Sequence, residues 1–352
     1  FYGVRGVPLA LIRNYLHGRT QRTVLSNFHS HQLHCSCGVP QGSILGPLLF
    51  IVYINDLNNT LSSAFTTMYA DDTNIFLSGN NITHMTDILN TEMQSLSSWL
   101  QCNRLSLNVD KTHVMVFSLN PVTRKLKPSI EINGSRISTI NSTTFLGVKI
   151  DNSLSWKHHT THVCSKISKS IGILKKVSHI FDRTVLLNLY NTFILPYLTY
   201  CISVWGNAAN THLHRILILQ KRALRIIYHT DPLAHTAPLF SHSGILKLED
   251  LHTYSVALII YRLKNNMYPP TFSNLFISYI TPRPSNETAH QTRTTSTSAV
   301  ILPRCRTTFR QKTLAYTLPS TMNNLIIPLD LLSVNSFQTF KRNIKVILAA
   351  KY

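Results

Sequence analysis

Asp71 and Asp72 are adjacent carboxylates lying between two short β-like runs, Ala64–Tyr69 and Thr73–Leu77. At the tip of a tight strand–turn–strand, two such groups can hold divalent metal ions through hard oxygen ligands. Phosphoryl transfer uses ions of this kind, about 3.5–4 Å apart, to stabilise the attacking and leaving oxygens. Asp is also a favoured turn residue, so the pair taken alone is equally an ordinary acidic turn. A longer pattern lies upstream, Gly38-Val39-Pro40-Gln41-Gly42-Ser43-Ile44-Leu45-Gly46-Pro47, with 29 residues from Gly42 to Asp71. Gly42 removes a Cβ where a nucleotide or template strand could approach the backbone. Gln41 offers donors and acceptors beside it, and Ser43 is placed to cap the helix that follows. A third segment, Leu107-Asn108-Val109-Asp110-Lys111-Thr112, precedes a β-like run.

The elements that must position these residues follow from periodicity. Val7–His17 reads as a helix with Pro8 in its first turn. Arg19–Phe28 and His31–Cys37 read as a strand pair, and Ser43–Asn58 as a helix rich in Leu and Ile. Ile82–Arg104 is an amphipathic helix with Met85, Ile88, Leu89, Met93, Leu96 and Leu100 on one face. Val114–Phe117, Ile130–Ile132 and Phe145–Ile150 read as strands, so residues 1–155 have an α+β pattern. Beyond Trp156 the chain turns helical, with helices expected near 157–180, 183–195, 211–228 and 250–266. Residues 281–300 form a Pro/Ser/Thr-rich linker or loop, and 301–352 a basic C-terminal segment ending in a helix at Ser336–Leu348.

Charge narrows the partners. The chain has 34 Lys and Arg against 14 Asp and Glu, a net charge of +20, with only 14% of residues charged. Soluble domains average roughly 25% charged, so the surplus comes from scarce acids rather than abundant bases. A polyanionic partner fits this balance, and a small disulfide-stapled module or a fully disordered tail does not. Between Asp151 and Asp182 there are five lysines and no acid. His162, Lys166, Lys169 and Lys176 recur there on one helical side, with Val163, Ile167, Leu174 and Val177 on another. That arrangement suits a helix packed by its apolar face and tracking duplex phosphates. Arg215, Arg222 and Arg225 make a second, weaker stripe, and residues 281–313 carry six bases with only Glu287 among acids.

No membrane span is expected. Ile44–Ile54 is shorter than the roughly 20 residues a bilayer requires. The formally uncharged stretch Thr184–His214 contains Pro196, Asn188, Asn191 and Asn207, and its Leu186, Leu189, Phe193 and Tyr197 fall at helical spacing, as in a buried helix pair. Six scattered cysteines favour a reducing compartment. His29, His31, His34, Cys35 and Cys37 fit no standard zinc spacing, and strand alternation separates them, so no zinc is expected.

Taken together, Pro40-Gln41-Gly42, Tyr69-Ala70-Asp71-Asp72, the Lys111 segment and Phe145-Leu146-Gly147 resemble the reverse transcriptase palm of non-LTR retrotransposons, especially jockey-like elements. Ile194-Leu195-Pro196-Tyr197 through Val204-Trp205-Gly206 resembles the segment after the family's thumb. Leu318-Pro319 and Ser336-Phe337 with Phe340-Lys341 resemble its C-terminal region. The resemblance implies a partial palm at 1–155, an antiparallel sheet with helices. It implies a helical thumb at 156–230 and a helical C-terminal region at 231–280.

It also implies RNA-directed DNA synthesis on an RNA template, a DNA primer and deoxynucleoside triphosphates, with Mg²⁺ or Mn²⁺ as cofactor. Asp71 would ligate the metal ions with Asp72 as an auxiliary carboxylate, and Gln41, Gly42 and Tyr69 would line template, nucleotide and primer. Lys111 would approach the triphosphate and protonate the leaving pyrophosphate, or stand as a solvated lysine at a strand edge. Phe145, Leu146 and Gly147 would form the primer grip. Lys166, Lys169, Lys176, Arg215, Arg222 and Arg225 would meet the nucleic-acid backbone. Work on nuclear DNA after cytoplasmic assembly with RNA is the family's implied location.

One departure stands against activity. Polymerases of this family carry another metal-binding Asp upstream of the Gln41–Gly42 motif, yet residues 1–55 contain no Asp or Glu and Asp56 is the first acid. The chain opens without Met and reads as a fragment lacking fingers and an upstream endonuclease. The expectation is a chain that binds nucleic acid without polymerising, either a segment of an active enzyme or a non-catalytic remnant of a decayed element.

Overall fold

The computed structural model describes residues 3–281 and 300–352. The chain divides into two compact units, one of residues up to Val116 with Pro121–Ile140, the other of Phe117–Asn120 with Asn141–Tyr352. Helices and small sheets are mixed, as an α+β chain requires. The linker expected at 281–300 lies almost wholly outside the described residues.

In the first unit, α1 (Gly6–Leu16) is followed by the short strands β1 (Thr20–Gln21), β2 (Val24–Leu25), β3 (Phe28–His29) and β4 (Leu33–His34). Next come α2 (Leu45–Ile54), β5 (Phe65–Tyr69), β6 (Asp72–Phe76) and the long α3 (Ile82–Cys102). The unit closes with β7 (His113–Val114), α4 (Pro121–Arg124), β8 (Glu131–Ile132), β9 (Ser135–Arg136) and β10 (Ser138–Thr139). Every sheet among the described residues has two strands, so the antiparallel sheet expected of a palm is present only as separate ribbons. The reason is local. Ser26, Ala70 and Asn133 adopt positive φ at the ends of strand runs, folding the chain back into the hairpins β2–β3, β5–β6 and β8–β9. Ser26 also splits the single strand expected over Arg19–Phe28, leaving only Thr20–Gln21 to pair with Leu33–His34.

The core of this unit is small: Leu57, Leu61, Met93, Leu96, Ile130, Ile132 and Ile137, with Met68 and Ile75 packed on it. Asn81 caps α3, its Oδ1 accepting from the Thr83 amide at 2.9 Å. Glu92 of α3 is buried and accepts from the Ser62 and Ser63 amides, the latter at 2.7 Å, and from the Ser62 hydroxyl. These bonds fix the 3-10 turn Asn55–Thr60 and the entry to β5 against α3. The expected helix Ser43–Asn58 is therefore α-helical only over Leu45–Ile54.

The second unit begins with the hairpin β11 (Ser142–Phe145) and β12 (Val148–Asp151), then the long α5 (Lys157–Val177). There follow α6 (Arg183–Phe193), α7 (Leu195–Thr199), α8 (Ile202–Trp205), α9 (Asn210–Ile227), α10 (Ala237–Ser243), α11 (Leu248–Lys264) and α12 (Pro270–Phe276). Beyond Val300 come α13 (Thr308–Gln311), α14 (Leu314–Thr321), a π-helical turn at Met322–Ile326 and α15 (Phe337–Ala349). One continuous core joins them, from Ile167 and Ile171 of α5 to Phe340 and Ile344 of α15. Each fully buried aliphatic side chain of this kind contributes about 1.5–3 kcal/mol.

The uncharged stretch after Thr184 is buried helix, as expected, but its seam is shifted. Leu186, Tyr190, Ile194, Leu198 and Ile202 are buried, whereas Phe193 and Tyr197 are 43% and 38% exposed. The helix breaks at Ile194 ahead of Pro196, which has no amide to continue the ladder, and the break rotates the face that packs. Tyr190 is buried without loss because its hydroxyl accepts from Gln220 Nε2 at 3.0 Å. No helix among the described residues is long and apolar enough to cross a membrane.

Candidate functional site

In the first unit the loop before α2 is tied by Ser43, whose hydroxyl donates to the Pro40 carbonyl at 2.7 Å and accepts from the Gly46 amide at 3.0 Å. The second bond satisfies an amide in the first turn of α2, but Ser43 stands one residue ahead of the N-cap, which is Ile44 and makes no side-chain cap. The two bonds leave Gln41 and Gly42 exposed on the bulge, with Gly42 at φ +80° and open space where a Cβ would stand. A strand could approach this backbone without meeting a side chain.

The carboxylate pair sits where its spacing suggested. Strands β5 and β6 pair antiparallel with Tyr69 opposite Asp72, and Ala70 and Asp71 form the two-residue turn. Directly opposed residues share a face, so Tyr69 and Asp72 project together, in line with the Phe65–Phe76 ring pair. Met68 and Ile75, one position off, pack on the core. The outer face is open, with Tyr69 65% exposed and both carboxylates exposed. Neither Asp accepts a hydrogen bond or forms an ion pair among the described residues. Lys111 ends the 3-10 helix Val109–Lys111, held by its amide bond to Asn108 Oδ1 at 3.2 Å, with an exposed side chain. Gln41, Asp71 and Lys111 thus stand on three separate elements of one unit.

As metal ligands Asp71 and Asp72 have the right chemistry: hard, exposed oxygen donors with no competing protein partner. They supply only part of a ligand set. No cluster of three or more His, Cys, Asp and Glu able to hold an ion occurs among the described residues. His29 and His34, singled out in the sequence, fall in different ribbons.

The remaining sequence-derived residues lie in the second unit. Phe145-Leu146-Gly147 is not the start of one strand over Phe145–Ile150. It is the turn of a hairpin, because Leu146 at φ +44° and Gly147 at φ +79° are both left-handed. The hairpin is tied to α5 at its base by Asp151, which is buried. That carboxylate accepts from the amides of Ser153 (3.1 Å), Ser155 (3.0 Å) and Trp156 (3.1 Å) and from both serine hydroxyls. Burial pushes its pKa upward, but the bonds from Ser153 and Ser155 outweigh it and hold the carboxyl below its ordinary value.

On α5, Lys166, Lys169 and Lys176 are exposed, and the core face of Val163, Ile167, Ile171 and Leu174 is buried. Position 173 falls on the same stripe as the lysines and holds an exposed Ile. Lys149 of β12 extends the positive region; its charge and that of Lys166, after partial burial, lower the His162 pKa. Sequence reading missed Lys149, although it lies outside the acid-free helix by only a few positions. On α9, Arg215 and Arg222 are exposed. Arg225 is half-buried and donates from Nε to the Ala234 carbonyl at 3.0 Å, so its guanidinium is partly committed to the fold. Among the described residues one ion pair occurs, Lys351 with Asp250 at 3.5 Å, and the α5 cations have no acid to neutralise them.

Residues 2–150 match the family model of reverse transcriptase (RNA-dependent DNA polymerase). That similarity is confined to the first part of the chain, and the relatives found are RNA-directed DNA polymerases of mobile elements. It is similar to the RNA-directed DNA polymerase from mobile element jockey of Drosophila funebris, 29% identical over 233 residues, covering 62% of this chain and 24% of that protein. It is also similar to the probable RNA-directed DNA polymerase from transposon BS of Drosophila melanogaster, 28% identical over 237 residues, 64% of this chain and 25% of that one. A Pol polyprotein from type-1 retrotransposable element R1 2 of Nasonia vitripennis is 29% identical over 177 residues, 48% of this chain and 43% of its own. The chain spans about a quarter of the length of the jockey and BS proteins.

Proposed function

We propose that this chain is a segment of a non-LTR retrotransposon reverse transcriptase that holds an RNA–DNA hybrid, with Gln41, Gly42, Tyr69, Asp71, Asp72 and Lys111 contributing to the polymerising site. The observation that carries this reading is the exposed Asp71–Asp72 hairpin tip in a chain matched by the reverse transcriptase family. The unneutralised lysines of α5 support backbone contact, and an A-form hybrid read by shape needs no base-specific motif.

Within this reading Asp71 and Asp72 would hold Mg²⁺ or Mn²⁺, which supplies charge neutralisation at the transferred phosphoryl group. Two adjacent carboxylates leave that ligand set short of the further Asp the family carries ahead of Gln41, and residues 1–55 have no acid. The 352-residue chain is accordingly proposed to bind hybrid and not to extend a primer. That favours a non-catalytic binding role for this chain alone, with cytoplasmic RNA assembly and nuclear action as its setting. The test pairs two assays on the purified chain: hybrid affinity, and primer extension on an RNA template with Mg²⁺ and deoxynucleoside triphosphates. Binding without extension supports the reading; extension removes the claim that a carboxylate is wanting, and no binding removes the whole.

A further inference from the structure

Leu146 adopts a positive φ that side-chain-bearing residues rarely take, so something must hold it there. Tyr200, at the junction of α7 and α8, does so. Its hydroxyl donates to the Leu146 carbonyl at 2.6 Å, and its ring lies where a Cβ on Gly147 would touch it at 3.5 Å. Tyr200 is itself anchored, because its carbonyl accepts from Trp205 Nε1 at 2.8 Å and Trp205 is fully buried. The same indole packs edge-on against His159, with ring centroids 5.2 Å apart, and His159 Nδ1 accepts from the Lys149 amide at 3.3 Å. One buried tryptophan thus reaches both the tip and the far strand of the β11–β12 hairpin, through Tyr200 and through His159. The hairpin base is fixed independently by Asp151.

We infer that Tyr200 is a positioning residue, locking the Leu146–Gly147 turn to the helical unit so that turn and α5 stripe meet a primer strand as one rigid surface. This rests on the reading of Phe145-Leu146-Gly147 as the primer contact. A loosened turn would still leave the α5 lysines to hold duplex, so the lock should govern recognition of a primer end and not of duplex in general.

The experiment compares the full 352-residue chain with Tyr200→Phe for affinity toward an RNA–DNA hybrid with a recessed primer end and toward a blunt hybrid. Amide exchange at residues 146–149 is followed alongside. The wild-type chain should prefer the recessed end, and Tyr200→Phe should lose about fivefold of that preference, the loss of one hydrogen bond. Its blunt-hybrid affinity should stay unchanged while exchange at the turn quickens. Gly147→Ala, strained at its positive φ with its Cβ in ordinary contact with the Tyr200 ring, should loosen the same turn and lose the same preference, and stands in should Tyr200→Phe fold poorly. Quickened exchange with the end preference intact overturns the inference and leaves the primer-contact reading standing. A wild-type chain with no end preference overturns that reading and the inference with it.

Discussion

Neutralising Lys166, Lys169 and Lys176 to Gln should change how binding responds to salt, by an amount that follows from helix geometry. The outer two of these lysines lie ten positions apart on α5, about 15 Å at about 1.5 Å per residue. Duplex carries one phosphate charge per about 1.7 Å of axis, so about nine lie within that span and each lysine can find its own. The log–log slope of affinity against salt falls by about 0.9 for each phosphate contact removed, so the triple variant should be shallower by about 2.7. Extrapolated from about 1 M salt, where the term vanishes, to about 0.1 M, this is about 500-fold in affinity. Fluorescence anisotropy with a labelled hybrid, titrated at several salt concentrations, reads both quantities. Arg225→Gln is an internal contrast: its guanidinium is bonded to Ala234, so this change should lower thermal stability more than the slope. A slope within about half a unit of wild type for the triple variant would falsify the assignment of α5 to the backbone.

The other predictions concern what holds the second unit together. His159 and His252 are both pushed down to about 4, chiefly by burial, with neighbouring positive charge from His162 and Lys149 adding to the effect at His159. Both rings take up protons in the unfolded chain below about 6.5 but in the folded chain only near 4, so their contribution to stability is complete above 6.5 and lost as pH falls toward 4. The loss is at most about 3 kcal/mol for each, and denaturant titrations at pH 7 and pH 4.5 should show it; equal stability at both would refute the burial argument. Gly206→Ala places a Cβ 2.5 Å from both the Ile202 carbonyl and the His252 ring, so it should cost about 2–3 kcal/mol, a Tm fall of roughly 5–10 °C. Asp71→Asn should leave hybrid affinity in the absence of divalent ions within about twofold, because the carboxylate makes no contact that supports the fold.

Much of this was legible in the residues themselves. Long helices with a clean apolar face, α3, α5, α9 and α15, lie within a few residues of where periodicity put them, since a buried stripe at 3.6 spacing has few other solutions. The Asp71–Asp72 tip was legible because a two-residue turn between alternating strands fixes register on its own. The turn at Leu146 was not. Nothing in Phe145-Leu146-Gly147-Val148 announces that Leu146 is left-handed; the compensation comes from Tyr200, 54 residues away in sequence. The shifted seam at Ile194 had a local cue in Pro196, but the size of the rotation depends on packing against the rest of the core. Arg225 looked like a member of a basic stripe because spacing cannot reveal that a loop carbonyl waits beside it. Sequence spacing also could not say that the β-like runs of the first unit close on themselves as ribbons instead of joining one sheet.

If this chain holds a primer–template as proposed, the α5 stripe and the Leu146–Gly147 turn lie against the nucleic acid. Cross-linking tests it most directly, using an RNA–DNA hybrid with photoreactive nucleotides at the primer end and through the duplex, followed by peptide mapping. Duplex cross-links are expected on the α5 peptides that contain Lys166, Lys169 and Lys176, and primer-end cross-links at residues 145–149. Cross-links confined to other basic segments, such as α15, with none on α5 or the turn, would contradict it.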